Sequence, residues 1–476
     1  MGGKPTFPPE ADTIEYAKLL DSQDKLSHLR DQFNIPTRGS LKKKALNGTI
    51  PGETTQNGNT NGDDNDTPCI YFVGNSLGAQ PKKVKSHLSA QLETWASIGV
   101  NGHFTSLDDS PLTPWQDLAE SCAAKSLDLV GASIPQEIIY MNTLTVNLHL
   151  MLAAFYKPTP QRHKIMIEWK PFPSDWYAVQ SQIALHSLSP SKSLIEIQPD
   201  DKETLHLSTE QILATIDLHA DSTAVLLLPG IQYFTGQLLD IPAITAHAHA
   251  KGIIVGWDLA HAAGNVPLSL HDWGVDFAVW CTYKYLNAGP GATAGMFLHE
   301  KHHDKPGFSA RDRLAGWYGA DKSVRFNMEK EFVPSPGAWG YQLSNPSGTD
   351  LSCLNAALEV FGMTTIKELR GKSVLLTGYL EWLLEGVLRE HVYMHDGKGV
   401  FKILTPGRVE ERGTQLSLMF KKPGVLERVS GVLAENGVVI DVRKPDVIRA
   451  APVPMYCRFE DVWVFVQVLR KALEGL

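Results

Sequence analysis

The stretch that most constrains the fold of this chain runs from Gly256 to Asn287 and reads GWDLAHAAGNVPLSLHDWGVDFAVWCTYKYLN. Two short apolar runs bracket it, and such runs, rich in β-branched and aromatic residues, are typical of buried strands. The first run ends at Asp258, and the second leads into Lys284, 26 residues later. Ligands bind at the carboxyl ends of the strands in open α/β sheets, so we expect these two side chains to lie close together there.

A carboxylate and a lysine at one sheet edge suit pyridoxal 5'-phosphate (PLP). The lysine amine can condense with the cofactor's aldehyde, and the carboxylate can keep the pyridine nitrogen protonated, so that the ring accepts electrons. A phosphate site is also indicated, because Asn142-Thr143-Leu144-Thr145 stands between a predicted strand and an apolar helix from about Val146. Helix-start N–H groups and threonine hydroxyls donate to anions. Taken alone, the same pattern would favour a simple threonine N-cap, and the phosphate interpretation gains from the predicted positions of Asp258 and Lys284.

The wider pattern predicts an α/β fold. At least six short strands alternate with helices between residues 137 and 300, which favours a mainly parallel sheet. From about residue 351 the pattern changes to helix and then to mixed helix and strand. We therefore predict an N-terminal helical arm (1–69), a large PLP-binding domain (70–350) and a smaller α+β C-terminal domain (351–476). Residues 45–67, rich in Asn, Gly, Thr and Asp, are interpreted as a disordered insertion.

Composition excludes several classes of function. A net charge of −8 without a Lys/Arg-rich block argues against a nucleic-acid partner, and no apolar segment is long enough to cross a membrane. The five cysteines are scattered and form no CxxC pair, which favours a reducing compartment, and we expect a cytoplasmic protein. The fingerprints GxGxxG and GxxxxGK[ST] are absent, and no metal site is expected.

One motif supports a rival class. Residues 74–78 read GNSLG, which matches the G-x-S-x-G pattern of serine hydrolases and would make Ser76 a nucleophile. Such a serine needs a helix directly after it, whereas Gly78 and Pro81 follow here. The alternative interpretation is a glycine turn between a strand and a helix at about 82–98.

The segment WDLAHAAGNVPLSLHDWGVDFAVWCTYKYLNAGPG closely resembles kynureninases, PLP enzymes of the aspartate-aminotransferase-like fold type I that are related to class-V aminotransferases. The resemblance extends from about Tyr71 to the C-terminus. It implies hydrolysis of the β–γ carbon–carbon bond of L-kynurenine or 3-hydroxy-L-kynurenine to L-alanine and anthranilate or 3-hydroxyanthranilate. This reaction belongs to tryptophan catabolism and de novo NAD biosynthesis. The resemblance also implies a homodimer with shared active sites.

The resemblance assigns roles position by position. Lys284, Tyr283 and Asp258 would be catalytic, with Lys284 holding PLP and moving the substrate's α-proton. The residues implied to contact PLP are Leu144, Thr145, Phe172, Pro173, Ser174, Asp175, Asp258, His261, Tyr283, Lys284, Trp317 and Asn345. Arg449 would bind the substrate's α-carboxylate, while His103 and Asn345 would contact its aromatic part. Pro229 stands where relatives carry a serine, and proline has no N–H or hydroxyl to donate.

Three alternatives to the kynureninase interpretation stay open on the sequence. A cysteine desulfurase of the same fold needs a reactive cysteine on a loop, but Cys281 falls in a predicted strand and Cys353 near a helix start. A serine hydrolase would depend on Ser76. A binding protein that has lost its chemistry would not be expected to retain Lys284.

Overall fold

The computed structural model describes residues 3–44, 65–303, 313–328, 330–394 and 399–475. The chain divides into two compact units. The small unit comprises Met1–Lys82, Phe234–Gln237 and Met363–Leu476, and the large unit comprises Lys83–Tyr233 and Leu238–Gly362. Most of the predicted disordered insertion, residues 45–64, lies outside the described residues. The predicted domain boundaries after residues 69 and 350 stay predictions.

The regular elements are short strands and helices of varied length. The strands are β1 (Phe33–Asn34), β2 (Ile70–Tyr71), β3 (Gln80–Pro81), β4 (Ile138–Met141), β5 (Lys164–Glu168), β6 (Leu194–Ile197), β7 (Thr223–Pro229), β8 (Ile254–Asp258), β9 (Phe277–Trp280), β10 (Ala294–Leu298), β11 (Phe401–Ile403), β12 (Leu416–Phe420), β13 (Val438–Val439), β14 (Asp441–Arg443) and β15 (Val447–Ala450). The helices are α1 (Ile14–Gln23), α2 (Lys83–Ile98), α3 (Leu118–Ala124), α4 (Leu127–Val130), α5 (Leu144–Phe155), α6 (Pro173–Leu185), α7 (Pro190–Ser193), α8 (Thr209–His219), α9 (Ile241–Ala250), α10 (Gly348–Phe361), α11 (Ile366–Met394), α12 (Val425–Glu435) and α13 (Phe459–Leu473).

The large unit is built on a seven-stranded sheet with the order β4-β10-β9-β8-β7-β5-β6. Strand β10 runs antiparallel to both of its neighbours, and the remaining adjacent pairs are parallel. This confirms the mainly parallel sheet expected from the sequence. Every residue of β4, β9 and β10 is buried. Burial on both faces explains why these strands are continuous apolar runs rather than alternating ones.

Strands β8 and β9 bring the two ends of the key stretch to one edge. They are parallel neighbours, and Asp258 at the end of β8 pairs with Val279 of β9. The two strands pack tightly, because a Cβ at Gly256 would come 2.2 Å from the Phe277 ring. No larger residue fits at position 256 without displacing that ring. Asp258 and the segment after β9, which carries Lys284, therefore meet at the carboxyl edge of the sheet.

Two helices differ from the sequence-based expectation. Helix α5 begins at Leu144, two residues before the expected start, so the amides of Leu144 and Thr145 belong to its first turn. The predicted N-terminal helical arm contains α1, but the chain then continues through a 3₁₀ turn (Ser27–Gln32) and β1.

The small unit contains a four-stranded antiparallel sheet with the order β11-β12-β15-β14. Helix α13 packs against α1, α11 and α12. Strands β1 and β3 pair antiparallel within the N-terminal segment, and the parallel pair β13–β2 joins this segment to the C-terminal part of the unit. The expected α+β character of the C-terminal part is thereby confirmed. Within the described ranges, no helix combines the length and the apolarity needed to span a membrane.

A buried carboxylate organises the opposite, amino edge of the parallel strands. Asp276, directly before β9, accepts hydrogen bonds from His249 Nε2 (2.8 Å) and from the Val255 N–H (2.7 Å). His302 Nε2 lies 2.8 Å and Lys301 Nζ 2.7 Å from its other oxygen. Burial alone would raise the pKa of Asp276, but the histidine hydrogen bonds and the lysine charge outweigh it and hold the pKa well below its ordinary value.

Replacing Asp276 by asparagine is expected to destabilise the protein by about 2 kcal/mol or more, because charge-assisted hydrogen bonds to a buried carboxylate are lost. The folded-state pKa is depressed, so this contribution is fully present above the unfolded pKa of about 4 and disappears only in stronger acid. The thermal unfolding midpoint of Asp276→Asn should therefore fall at pH 6 to 8. Asp272→Asn, at an exposed position nearby, is the control, and equal midpoints for the two variants would contradict the prediction.

Candidate active site

A cavity of about 250 Å³ lies at the carboxyl edge of the seven-stranded sheet, within the large unit. Its walls come from the starts of α5 and α6, the loop after β7, the end of β8 and the segment after β9. Among the residues predicted for the site, those at the starts of the two helices that line it are Leu144, Thr145, Phe172, Ser174 and Asp175. Asp258 at the end of β8 lines it too, as do His261, Tyr283 and Lys284 in the segments after β8 and β9.

Lys284 is the basic group of this cavity. Its side chain is buried, with the residue only 9% exposed, and Nζ lies 3.1 Å from His261 Nε2. The same Nζ lies 5.7 Å from the centre of the Phe172 ring. No carboxylate of a described residue is within ion-pair distance of Nζ, which is unusual because buried lysines are normally paired. A buried amine beside a histidine and an aromatic ring is available for covalent chemistry.

Two buried carboxyl groups face each other in the cavity. Burial, followed by the charge of Asp258, holds the pKa of Asp175 well above its ordinary value. Burial also raises the pKa of Asp258, but the Lys284 charge and the Ala260 N–H, 2.7 Å from Oδ1, oppose this shift. The two groups are hydrogen-bonded, which requires one shared proton. We place that proton on Asp175, because its pKa is displaced further and Asp258 has the better donors around it.

The start of α5 forms a second polar wall. Thr143 is the N-cap residue, yet its side chain makes no capping hydrogen bond, and Thr143, Leu144 and Thr145 all line the cavity. The first amides of a helix have no partner within the helix and favour anions. This wall can therefore bind a phosphate or a carboxylate.

The remaining walls are aromatic and thiol groups. Phe172 directly precedes α6, is partly exposed at the cavity and packs edge-on against Tyr233, with ring centres 5.3 Å apart. Burial raises the pKa values of Cys281 and Tyr283, which are hydrogen-bonded to each other. Both groups therefore stay protonated at neutral pH, and the Tyr283 hydroxyl remains a donor.

Several predicted residues do not line this cavity. Pro173 is the first residue of α6, next to Phe172. His103 packs its ring edge-on against Trp115, with centres 4.9 Å apart. Trp317 and Asn345 are exposed on the large unit. The roles that the resemblance assigns to these four residues therefore remain proposals.

Arg449 belongs to the small unit, where it lies on β15 and is fully buried. Its guanidinium forms an ion pair with Asp441 of β14, in which Nε donates to Oδ1 at 3.0 Å and Nη2 lies 2.9 Å from Oδ2. The sequence did not reveal this partner, because the two residues meet only through the strand pairing of the small sheet.

Comparisons with known proteins agree with this geometry. Residues 78–300 match the family model for class-V aminotransferases, and residues 369–469 match the model for the kynureninase C-terminal domain. The chain is 63% identical to Kynureninase 1 of Neurospora crassa, covering 100% of this chain and 97% of that protein. It is 58% identical to the kynureninase of Pyricularia oryzae, covering 98% and 96%. The chain belongs to the kynureninase family.

Solved structures show the same fold at much lower sequence identity. The cysteine desulfurase CsdA from Escherichia coli superposes with a TM-score of 0.66 at 17% identity, over 86% of this chain and 95% of that one. A lysine-to-alanine mutant of C-DES, with glycine covalently linked to its PLP cofactor, superposes with a TM-score of 0.66 at 16% identity, over 84% and 96%. These likenesses establish the PLP-dependent transferase-like fold.

Kynureninases and class-V aminotransferases are PLP-dependent, and the cavity fits that cofactor. The buried Lys284 amine, which contacts His261 and has no carboxylate of a described residue within ion-pair distance, suits the aldehyde, and the uncapped start of α5 suits the phosphate. The Asp175–Asp258 pair suits a pyridine N–H, and the partly exposed Phe172 ring offers a face for stacking. The aldehyde, the phosphate, the pyridine nitrogen and the ring face of PLP thus each have a matching group in the cavity.

The rival classes lack the geometry that they need. The helix after Ser76 begins only at Lys83, so residues 74–78 do not form the sharp strand-to-helix turn of a serine hydrolase. A desulfurase needs an activated thiol, but burial raises the pKa of Cys353 to about 11 and also raises that of Cys281.

The structure also adds residues that the sequence analysis did not assign to the site. Glu168, Cys281 and Tyr233 line the cavity, as does Pro229, which was set aside as a loop residue. Glu168 could have been recognised by the rule that identified Asp258, because each is the last residue of a parallel strand. The sequence contains no comparable signal for Cys281 and Tyr233, because only the path of the loops after β9 and β7 places these residues at the cavity.

We expect Asp175→Asn to change how stability depends on pH in the protein without added PLP. The folded-state pKa of Asp175 is raised, so stability is full below the unfolded pKa of about 4 and is lost as pH rises toward the folded pKa. An asparagine can still donate to Asp258 but does not titrate. From pH 5 to 7, the variant should therefore gain about 1 kcal/mol per pH unit relative to the unsubstituted protein.

Urea unfolding at several pH values measures this difference. The exposed Asp200→Asn serves as the matched control and should follow the unsubstituted protein. Parallel pH profiles for Asp175→Asn and the unsubstituted protein would show that Asp175 is ionised in the folded state.

Proposed function

We propose that this protein is a kynureninase that hydrolyses the β–γ carbon–carbon bond of L-kynurenine, 3-hydroxy-L-kynurenine or both. One water is consumed, and the products are L-alanine and anthranilate or 3-hydroxyanthranilate. The reaction would serve tryptophan catabolism and de novo NAD biosynthesis. The observation that carries the proposal is the buried Lys284 amine, which contacts His261 and faces a buried carboxyl pair, in a chain 63% identical to a named kynureninase.

When bound, PLP supplies an electron sink that stabilises negative charge on the substrate carbons next to its nitrogen. Lys284 would hold the cofactor's aldehyde carbon until substrate arrives, and its freed Nζ would then carry the proton to and from the substrate's α-carbon. His261 Nε2, 3.1 Å from Nζ, orients the amine and can exchange a proton with it.

The carboxyl pair would hold the pyridine nitrogen. Asp258 would offer its negative charge to the ring N–H, and Asp175 donates its proton to Asp258. This hydrogen bond fixes the Asp258 carboxylate and limits the negative charge of the Asp175–Asp258 pair to one unit, which one pyridinium can balance. Phe172, Pro173 and Ser174 would fix the plane of the ring from the start of α6.

The phosphate would lie at the start of α5. The amides of Leu144 and Thr145, the Thr145 hydroxyl and the protonated Tyr283 hydroxyl are the proposed donors on this chain. Trp317 and Asn345 are proposed as further donors. Since neither lines the cavity of its own chain, we propose that a second copy supplies them.

The proposed homodimer is supported by an aromatic surface on the large unit. Phe104, Trp317 and Phe326 are 62%, 52% and 49% exposed, and the first and third ring centres lie 5.7 Å apart. Clustered exposed aromatic rings are typical of protein interfaces. Sedimentation equilibrium tests this proposal, because a mass near 52.4 kDa would exclude the dimer and a doubled mass would support it.

We also propose a cytoplasmic location, with the small-molecule substrate as partner and neither nucleic acid nor membrane involved. The five cysteines are free thiols, as is usual in a reducing compartment. A fluorescent fusion tests the location, and concentration of the signal in an organelle would contradict it.

Lys284→Ala should lower kcat by at least about 1,000-fold, because the same nitrogen acts as covalent partner and proton carrier. The purified protein with PLP should show a visible absorption band that Lys284→Ala lacks, and should release alanine from 3-hydroxykynurenine. The exposed Lys202→Ala should keep both properties. Alanine release by Lys284→Ala at the normal rate would sink the proposal.

Substrate contacts can be separated by comparing the two substrates. Arg449→Lys should lower kcat/KM at least tenfold for both, because lysine cannot form the bidentate contact with an α-carboxylate. His103→Ala and Asn345→Ala should instead change the ratio of kcat/KM between 3-hydroxykynurenine and kynurenine by roughly tenfold, the effect of losing one hydrogen bond. An unchanged ratio in both variants would remove these two residues from aryl recognition.

A further inference from the structure

A third carboxyl group lines the candidate site. Glu168 is the last residue of β5, two strands from Asp258 in the sheet, and is only 1% exposed. Its side chain reaches the same cavity as Asp175, Asp258 and Lys284. A buried carboxyl without a cation is costly, so its presence in this cavity requires a reason.

Glu168 is held in place by two donors. Gln232 Nε2 lies 3.1 Å from Oε1 and also 3.1 Å from the Lys170 carbonyl oxygen, so this amide bridges both acceptors. The Lys170 N–H donates to Oε2 at 3.0 Å. Neither donor carries a full charge, and no ion pair to Glu168 occurs in the part of the chain that the structure describes.

Glu168 gains or loses its proton near neutral pH. Burial raises its pKa to about 7, although the Lys170 amide and Gln232 favour the ionised form. Its charge in turn contributes to the raised pKa of Asp175. The other ionisable groups of the described residues around this cavity are Lys170, Tyr233, Asp258, His261, Cys281, Tyr283 and Lys284.

We propose that Glu168 is a positioning residue for the cofactor, held by Gln232 and the Lys170 amide so that its charge acts on the pyridine ring through Asp175 and Asp258. This inference rests on the proposed function and extends it from a carboxyl pair to a cluster of three. Glu168 does not touch the reacting atoms in this role. When it is ionised, it strengthens the attraction of the three carboxyl groups for a protonated pyridine ring.

The role has a definite dependence on pH. Above about pH 8 Glu168 is ionised and favours the positively charged ring, whereas near pH 6 it is protonated and resembles a glutamine. Glu168→Gln should therefore bind PLP about as well as the unsubstituted protein near pH 6, and roughly tenfold more weakly above pH 8, the effect of one pKa unit.

The experiment titrates PLP into the full-length protein after the cofactor has been removed, from pH 5.5 to 9. Calorimetry in two buffers of different ionisation enthalpy also counts the protons released per PLP bound. Near pH 7 the unsubstituted protein should release up to about half a proton more than Glu168→Gln, because the bound ring lowers the pKa of Glu168. Neither readout depends on catalytic activity.

Two further variants make the test specific. Gln232→Met removes the bridging donor but keeps the side-chain length, so the pKa of Glu168 should rise and the pH at which PLP binding changes should move upward. Glu196→Gln makes the same chemical change at an exposed position on the neighbouring strand β6. It should match the unsubstituted protein at every pH.

A weakening of PLP binding by Glu168→Gln that is equal at all pH values, with an unchanged proton count, would overturn the inference and indicate a packing role alone. If Glu168→Gln does not fold, an unmoved pH profile in Gln232→Met would overturn it instead. Failure of the unsubstituted protein to bind PLP would reject the proposed function itself, so the two failures are distinguishable.

Discussion

Desolvation of one amine and three carboxyl groups in a single cavity is the constraint on which the large unit depends. Lys284, Glu168, Asp175 and Asp258 are all buried, and taking such groups out of water costs several kcal/mol each unless charge is cancelled or shared. The protein limits this cost by sharing one proton between Asp175 and Asp258 and by giving Glu168 two neutral donors. A cationic ring bound there would complete the charge balance.

The two edges of the sheet use buried carboxylates differently. At the amino edge Asp276 is saturated by His249, His302, Lys301 and an amide, which makes it a structural group. Glu137 nearby accepts hydrogen bonds from the Ser133 and Glu300 amides and from His271. Although Glu137, His271 and His299 lie close enough to suggest a cation site, these contacts already occupy the carboxylate. At the carboxyl edge, the donors described above for Glu168 and Asp258 are uncharged, so the negative charges of these carboxyl groups can act on a ligand.

The same fold carries different chemistries among relatives. Two cysteine desulfurases share this fold at 15% and 17% identity and a cystine C–S lyase shares it at 18%, whereas two kynureninases share more than half of their residues with this chain. A fold alone therefore does not decide the reaction. In this protein the thiol in the cavity, Cys281, is buried and protonated, so the chemistry falls to the amine and the carboxyl groups around it.

Local features of the sequence were sufficient for much of this description. The apolar runs before Asp258 and Lys284 and the threonine-rich start of α5 depend on neighbouring residues alone, so periodicity predicted the mainly parallel sheet and its functional edge. The sequence could not predict the contact of Asp175 with Asp258, the 3.1 Å approach of Lys284 to His261, or the pairing of Arg449 with Asp441. The strand order decides those contacts, and Glu168 becomes a site residue only because β7 stands beside β8 and β5 stands beside β7. Burial then sets the protonation states, and burial is a property of the folded chain rather than of any segment.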